Sequence, residues 1–383
     1  TARGSETNND GQRGQIMRMG LAAVRPAAGR SGDGAAMVKA LDEKLAAIHA
    51  DPGGCREFIL ADAKDADMGF GITAPGPSRD ACPHGFNTTE GCYKTLEDYR
   101  AQIRAVIRQG LVDIVLLSAY NLEQLAIRER LFEGTRITPA ARANDASDIW
   151  IVRGSKYALL PSRPFRTATL DHIKYGHLEA DHSKPLLGAD LGLYSITFTN
   201  DLDWDYRALE DFHEFRIEAE KKRFRYFMEV FNPNVDPGMD PKKVGSFVND
   251  NIIRCLAGVT SAGRPLFLKI PYNGPGPLEE LVAYDPRLIV GILGGGAGTT
   301  MDAFQLLYDA KKHGARVALY GRKINLSEHP LAFIEFLRLI ADGKIEPTEA
   351  VKAYHDVLRK AKIKPIRPLH ADLQPSHTIT KYG

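Results

Sequence analysis

Cysteine is scarce in this chain: Cys55, Cys82, Cys92 and Cys255 are the four among 383 residues. Four are too few for a disulfide scaffold, which makes a reducing cytoplasm the expected setting. Long apolar runs are also missing. No stretch approaches the ~18 residues of a membrane helix, no signal peptide is visible, and no membrane partner is expected. Neither sign of charge dominates: the formal net charge is +2 and the pI about 8.2. Such a balance argues against a nucleic-acid partner. There is no GxSxG, Walker loop or HExxH, and no strand–GxGxxG–helix unit near the start. Cys82-Pro83-His84 with Cys92 supplies three candidate ligands, but the spacing is not a zinc pattern, and no metal is expected.

What remains is ordinary globular chemistry, 44% hydrophobic and 26% charged. Length alone suggests two or three domains, but an α/β barrel absorbs ~250 residues or more in one. Residues 1–34 begin with the polar, glycine-rich "TARGSETNNDGQRGQ" and read as a flexible tail. A helical period covers 35–50. Short apolar runs then alternate with amphipathic segments. The strand candidates are "EFILADA" (57–63), "VDIVLLSA" (112–119), "FRTATLDHI" (165–173), "LYSITFT" (193–199), "RYFMEVF" (225–231), "LFLKIPY" (266–272), "LIVGIL" (288–293) and "ARVALYG" (315–321). Helical periods such as "TLEDYRAQIRAVIRQG" and "TTMDAFQLLYDAKKHG" lie between most of them, several ending in glycine.

This alternation predicts a parallel sheet, and eight strands fit a (β/α)8 TIM barrel over residues 35–343. The rival is a doubly wound open sheet. Residues 128–192, rich in Arg, Asp, Pro and Gly, are expected to form a long insertion shaping the active site. Residues 344–383 read as a C-terminal helix and tail.

One charge interrupts an apolar strand. In Leu266-Phe267-Leu268-Lys269-Ile270 a buried ammonium is costly unless it is paired or has lost its proton. Strand side chains alternate, so Phe267, Lys269 and Pro271 share one face and Leu266, Leu268 and Ile270 the other. Leu and Ile suit the helix-facing layer, which aims Lys269 into the barrel, near the end where active sites are built. A neutral amine in an apolar barrel can attack a ketone and form a Schiff base. The plainer alternative is an edge-strand lysine snorkelling to water.

The preceding strand carries the same pattern. Phe227, Glu229 and Phe231 share a face, so Glu229 is expected beside Lys269, as a proton shuttle or as half of a structural ion pair. Strands seven and eight end in "ILGGGAGTT" and "YGRKIN". Gly295, Gly296, Gly298, Gly321 and Arg322 there fit a barrel phosphate site. The first strand runs into "ADAKDADMGFG", where Asp62, Lys64, Asp65 and Asp67 are candidates for substrate binding or proton transfer. Parity does not choose among them if a bulge intervenes. Arg142, Arg153, Arg163 and Arg166 either grip a second anionic group or pair with Asp145, Asp148 and Asp171 as scaffold.

Taken together, "FMEVF", "FLKIPYNG", "ILGGGAG" and "YGRKI" resemble the class I aldolases of the deoxyribose-phosphate/tagatose-bisphosphate aldolase superfamily, related to the archaeal-type fructose-bisphosphate aldolases. The resemblance covers roughly residues 190–330 and fails over 128–180. It implies that Lys269 forms the Schiff base, that Glu229 takes part in proton transfer with Asp62 or Asp65, and that Gly295, Gly296, Gly321 and Arg322 hold a substrate phosphate. Lys64, Gly298, Arg142 and Arg166 join the expected substrate-binding set. The expected activity is a lyase acting on a C–C bond of a phosphorylated ketose, with no metal or other cofactor, in a homo-oligomer. The alternatives are transaldol or acyl transfer through the same Schiff base, and a barrel that binds sugar phosphates without catalysis.

Overall fold

Inward and outward side chains sort cleanly along eight parallel strands. The computed structural model describes residues 37–78, 82, 85–178, 181, 183–295 and 298–376; the sequence-predicted tail at 1–34 lies outside them. The barrel strands are β1 (Ile59–Lys64), β2 (Ile114–Leu117), β3 (Thr138–Arg142), β4 (Leu191–Thr197), β5 (Arg225–Phe231), β6 (Leu268–Ile270), β7 (Val290–Leu293) and β8 (Val317–Tyr320). They close in chain order, with β8 pairing back onto β1. The chain is a (β/α)8 TIM barrel.

One core fills the barrel and another lies between strands and helices. Ile59, Ala61, Ile114, Leu193, Phe227, Phe267 and Leu319 pack inside. The rings of Phe227 and Phe267 stack there with centroids 4.7 Å apart. Leu60, Val115, Met228, Leu268 and Ile292, one residue out of phase, pack against the helices. The helix Ala40–Ala50 adds Leu41, Leu45 and Ile48 to the inner cluster. It thereby closes the end of the barrel where the strands begin. Each such fully buried side chain stabilises the fold by roughly 1.5–3 kcal/mol before entropy is counted.

The third strand is not where the apolar pattern put it. Residues 165–173 do not join the barrel: Pro164–Phe165 pair antiparallel with Asp145–Ala146, and Leu170–Tyr175 is a helix. Thr169 caps that helix by accepting the His172 N–H, and Gly176 ends it in the left-handed region at φ 82°. The strand is instead "TPAAR", Thr138–Arg142, inside the stretch expected to be an insertion. Its proline is tolerated for a topological reason. Thr138 N–H donates back toward β2, to Asp113 O at 2.9 Å. Position 139 therefore faces the β4 side, where pairing begins only at Ala141. The long loop thus starts after Arg142.

Helices Pro330–Ala341 and Pro347–Lys360 pack beside Thr300–Lys312 through Phe304, Phe333 and Tyr354. The chain then returns, and Asp372, Gln374 and Ser376 bond to the start of Thr300–Lys312. Cys82, just before the hairpin Gly85–Thr88/Gly91–Lys94, is joined by a disulfide to Cys92 in its second strand, with Cα atoms 5.9 Å apart. His84 lies outside the described residues. Among the described residues no cluster of three or more His, Cys, Asp or Glu could hold a metal ion.

Candidate active site

Lys269 and Glu229 stand directly opposite each other in the β5–β6 ladder. Both point inward because Phe267 and Phe227, two residues earlier, do. Lys269 Nζ makes an ion pair with Glu229 Oε1. The pair is buried: Lys269 is 7% exposed and Glu229 1%. On the other side Lys269 is paired with Gly291 of β7. A Cβ at Gly291 would lie 2.6 Å from Val317 Cβ and 2.7 Å from Leu268 O. Only glycine lets the three strands close around the amine.

The second oxygen of Glu229 is held from β4. Ser195, in register with Glu229, donates its hydroxyl to Oε2 at 2.7 Å. Ser195 is itself pinned by Asn144, which accepts its N–H at 2.6 Å and donates to its carbonyl at 2.8 Å. Arg142, the last residue of β3, enters the same network. Its Nε donates to Asp65 Oδ2 at 2.5 Å and its Nη1 to Ser195 Oγ at 3.0 Å. Nη1 also lies 3.4 Å from Asp145 Oδ1, and Nη2 3.6 Å from Glu229 Oε2. Burial opposes the charge on Arg142, but Asp65, Asp145 and Glu229 outweigh it and raise the guanidinium further above its ordinary value. Asp145 feels the opposite balance. Burial, with the fields of Asp65 and Glu229, pushes it up to about 7 against the pull of Arg142. Burial also raises Asp148, although Ser162 Oγ and Thr197 Oγ1 donate to its two oxygens at 2.7 and 3.0 Å.

One pocket gathers most of the expected residues: Asp65, Arg142, Glu229, Lys269, Gly295, Gly321 and Arg322 all line it. Gly321 lies against β1, where a Cβ would come within 2.7 Å of Ala63 O. The guanidinium of Arg322 sits over the Phe70 ring, 5.4 Å from its centroid. Gly298 stands just behind this rim, its carbonyl accepting from Lys323 Nζ at 2.7 Å. Gly296 lies outside the described residues.

Three expected residues are elsewhere. Asp62 and Lys64 share the parity of Leu60, the outward face of β1, so they point at the helices and away from the pocket. There Lys64 Nζ is 3.2 Å from Asp62 Oδ2 and donates to Asn325 Oδ1. Burial pushes Asp62 up to about 6 and Lys64 down. Because β1 pairs with β2 and β8 without interruption through this stretch, Asp65 continues the inward parity of Ala61 and Ala63. Arg166 pairs with Glu218 at 2.8 Å, outside the pocket. Arg153 pairs with Glu90 at 2.9 Å, and Arg163 lies over Trp204 at 3.8 Å. Sequence reasoning missed Ser195, although the polar residues Ser195, Thr197 and Thr199 at the inward parity of "LYSITFT" were the signal for it. It also assigned no role to Phe70, Ile149, Ile151 and Phe231, which line the pocket.

No protein-family model and no curated protein matches the chain. Solved structures do. An archaeal fructose 1,6-bisphosphate aldolase is 15% identical with a TM-score of 0.53, the match covering 78% of this chain and 99% of that one. A second archaeal fructose-1,6-bisphosphate aldolase structure, with its catalytic Lys covalently bound to the carbinolamine intermediate of the substrate, is 14% identical with a TM-score of 0.53 over 78% and 100%. The fructose-bisphosphate aldolase from Slackia heliotrinireducens is 11% identical with a TM-score of 0.57 over 82% and 91%. The likeness is one of fold. Beyond the barrel, the chemistry rests on this chain's own residues.

Proposed function

We propose that the chain is a lyase of the Schiff-base aldolase kind, acting on a phosphorylated ketose. The observation that carries this reading is the Lys269–Glu229 pair, in register and buried in the barrel. A structural ion pair would not need a pocket on top of it, and this one lines a pocket with Gly295, Gly321 and Arg322 on its rim. The reading is supported by a neighbour of the same fold, an archaeal fructose-1,6-bisphosphate aldolase whose catalytic Lys is covalently bound to the carbinolamine intermediate of its substrate.

Glu229 accepts a proton from Lys269, and the neutral amine adds to the substrate ketone. Glu229 then returns the proton as the carbinolamine loses water to give the iminium. The iminium draws in the electrons of the adjacent C–C bond, leaving an enamine. The hydroxyl proton of the departing fragment passes to Asp65 or Glu229 as the aldehyde forms. Protonation of the enamine carbon and hydrolysis return the ketone and free Lys269. Ser195 and Arg142 hold Glu229 and Asp65 in place throughout. Arg142 is therefore read as a positioning residue and not as a phosphate clamp.

The phosphate is assigned to Arg322 and the loop amides at Gly295 and Gly321. The first turn of Thr300–Lys312 is occupied: Thr299 and Asp302 form a capping box, and Thr300 N–H donates to Asp372 Oδ1 at 2.7 Å. The helix Arg322–Leu326, in contrast, begins at Gly321, which has no side chain to cap it.

Borohydride reduction over a panel of ketose phosphates, followed by peptide mass mapping, tests the reading. The expected result is substrate mass on Lys269. A panel that leaves no adduct overturns it, and product analysis separates cleavage from transaldol or acyl transfer.

A further inference from the structure

Two layers of side chains are stacked where β4 meets β5. In the lower one Ser195 stands in register with Glu229, and in the upper one Thr197 stands in register with Phe231. Two residues along a strand advance about 6.6 Å toward the pocket mouth. Asp148, from the loop after β3, belongs to the upper layer: its Oδ2 accepts from Thr197 Oγ1 at 3.0 Å. Its Oδ1 accepts from Ser162 Oγ at 2.7 Å, and Ser162 N–H donates to Asn234 Oδ1 at 3.2 Å in the segment after β5. Three segments of chain therefore fix one carboxyl above the Lys269–Glu229 pair.

That carboxyl is held in place without being used up. Asp148 lines the same pocket as Glu229, Phe231 and Lys269 and is 6% exposed. An ionised carboxylate accepts about four hydrogen bonds. Ser162, Thr197 and the N–H of Asp148 itself supply three, which leaves a place for a donor from the pocket. A hydroxyl suits that place because it donates; an anion would meet like charge, and a methylene would leave the oxygen bare. Distance selects the hydroxyl. With the substrate ketone on Lys269 Nζ, the chain runs from the carbonyl carbon through the carbon that stays and the carbon that becomes the aldehyde to the next carbon of the departing half. In an extended chain the oxygen on that last carbon is about 6 Å from Nζ. Nζ lies in the lower layer, paired with Glu229, so this oxygen reaches the upper one.

We propose that Asp148 is the specificity-determining residue for the departing half of the substrate: it accepts a hydrogen bond from the hydroxyl on the carbon next to the nascent aldehyde, and the fragment released is a 2-hydroxyaldehyde. The inference rests on the aldolase reading. Asp148 takes no part in the proton transfers. The C–C bond breaks toward the Lys269 iminium, while the hydroxyl held by Asp148 keeps its proton and leaves with the aldehyde. What Asp148 contributes is orientation, holding the bond that breaks in line with the iminium.

The test uses the full chain in the direction of C–C bond formation. Borohydride with dihydroxyacetone and with dihydroxyacetone phosphate first reports which ketone is taken up at Lys269. That ketone is then offered propanal and each enantiomer of 2-hydroxypropanal, which differ from propanal by one hydroxyl. The expected outcome is an adduct, with kcat/KM for the better enantiomer exceeding that for propanal by about tenfold or more. Asp148→Ala should lower kcat/KM for that enantiomer about tenfold more than for propanal, bringing the two close to equal. A merely structural role would lower both alike and keep their ratio. Asp148→Asn, which keeps the shape, should narrow the ratio less steeply and gives the same comparison if Asp148→Ala does not fold. A wild-type ratio near one, or a ratio that survives in a folded variant, overturns this inference and leaves the aldolase reading standing. Absence of any adduct overturns both.

Discussion

Glu229 faces two ways. One oxygen meets the Lys269 ammonium and the other accepts from Ser195. The Glu229→Gln variant keeps the shape and removes the base. It should lower the single-turnover rate of adduct formation by about 10²–10⁴-fold with little change in substrate binding. A rate within a factor of a few of wild type would mean that Glu229 is structural. Asp145 offers a test of electrostatics rather than of chemistry. Its folded pKa is pushed up to about 7 by burial, against about 3.9 for an unfolded aspartate. The folded state therefore binds the proton more tightly, and stability falls as pH rises from about 4 through 7. Asp145→Asn removes that slope. Urea unfolding at pH 5 and pH 8 should show wild type losing about 1–3 kcal/mol relative to Asp145→Asn across the interval. A pH-independent difference would contradict the assignment.

At the scale of elements, the approach of β6, β7 and β8 depends on Gly291, whose missing Cβ leaves room for Val317 and Leu268 O. Gly291→Ala should cost about 1–3 kcal/mol by overpacking, read as a lowered denaturation midpoint, and should displace Lys269. Much of this site could be read in the sequence, because a charge inside an apolar strand has only two faces to choose from. Parity placed Lys269 and Glu229 inward, and the registers pair them. Parity also distinguished Asp65 from Asp62 once the strand was known to run without a bulge. β3 was not legible. "TPAAR" has no aromatic or branched aliphatic residue, and its place is set by pairing with β2 and β4 rather than by its own propensity. Losing that strand turned Arg142 into a loop arginine and hid its partnership with Asp65. Ser195 was a different case: its parity was visible, but the two hydrogen-bond partners of its hydroxyl, Arg142 and Glu229, come from distant parts of the chain.

At the scale of the whole molecule, the C-terminal segment closes back on the rim. Asp372 accepts from Thr300 N–H at 2.7 Å and from His355 Nε2 at 2.9 Å, at the helix that follows the glycine loop of β7. Asp372→Ala should cost about 1–3 kcal/mol by leaving a buried amide without its acceptor. Through the loosened loop it should also raise KM for a ketose phosphate more than it lowers kcat. An unchanged KM would separate the tail from substrate binding. The chemistry depends on the lysine inside the barrel being a nucleophile. Peptide mass mapping after borohydride reduction with a ketose phosphate tests it most directly. A nucleophilic Lys269 gives a single adduct of substrate mass at that residue, absent in Lys269→Ala; an adduct elsewhere, or none, means that Lys269 is not the nucleophile.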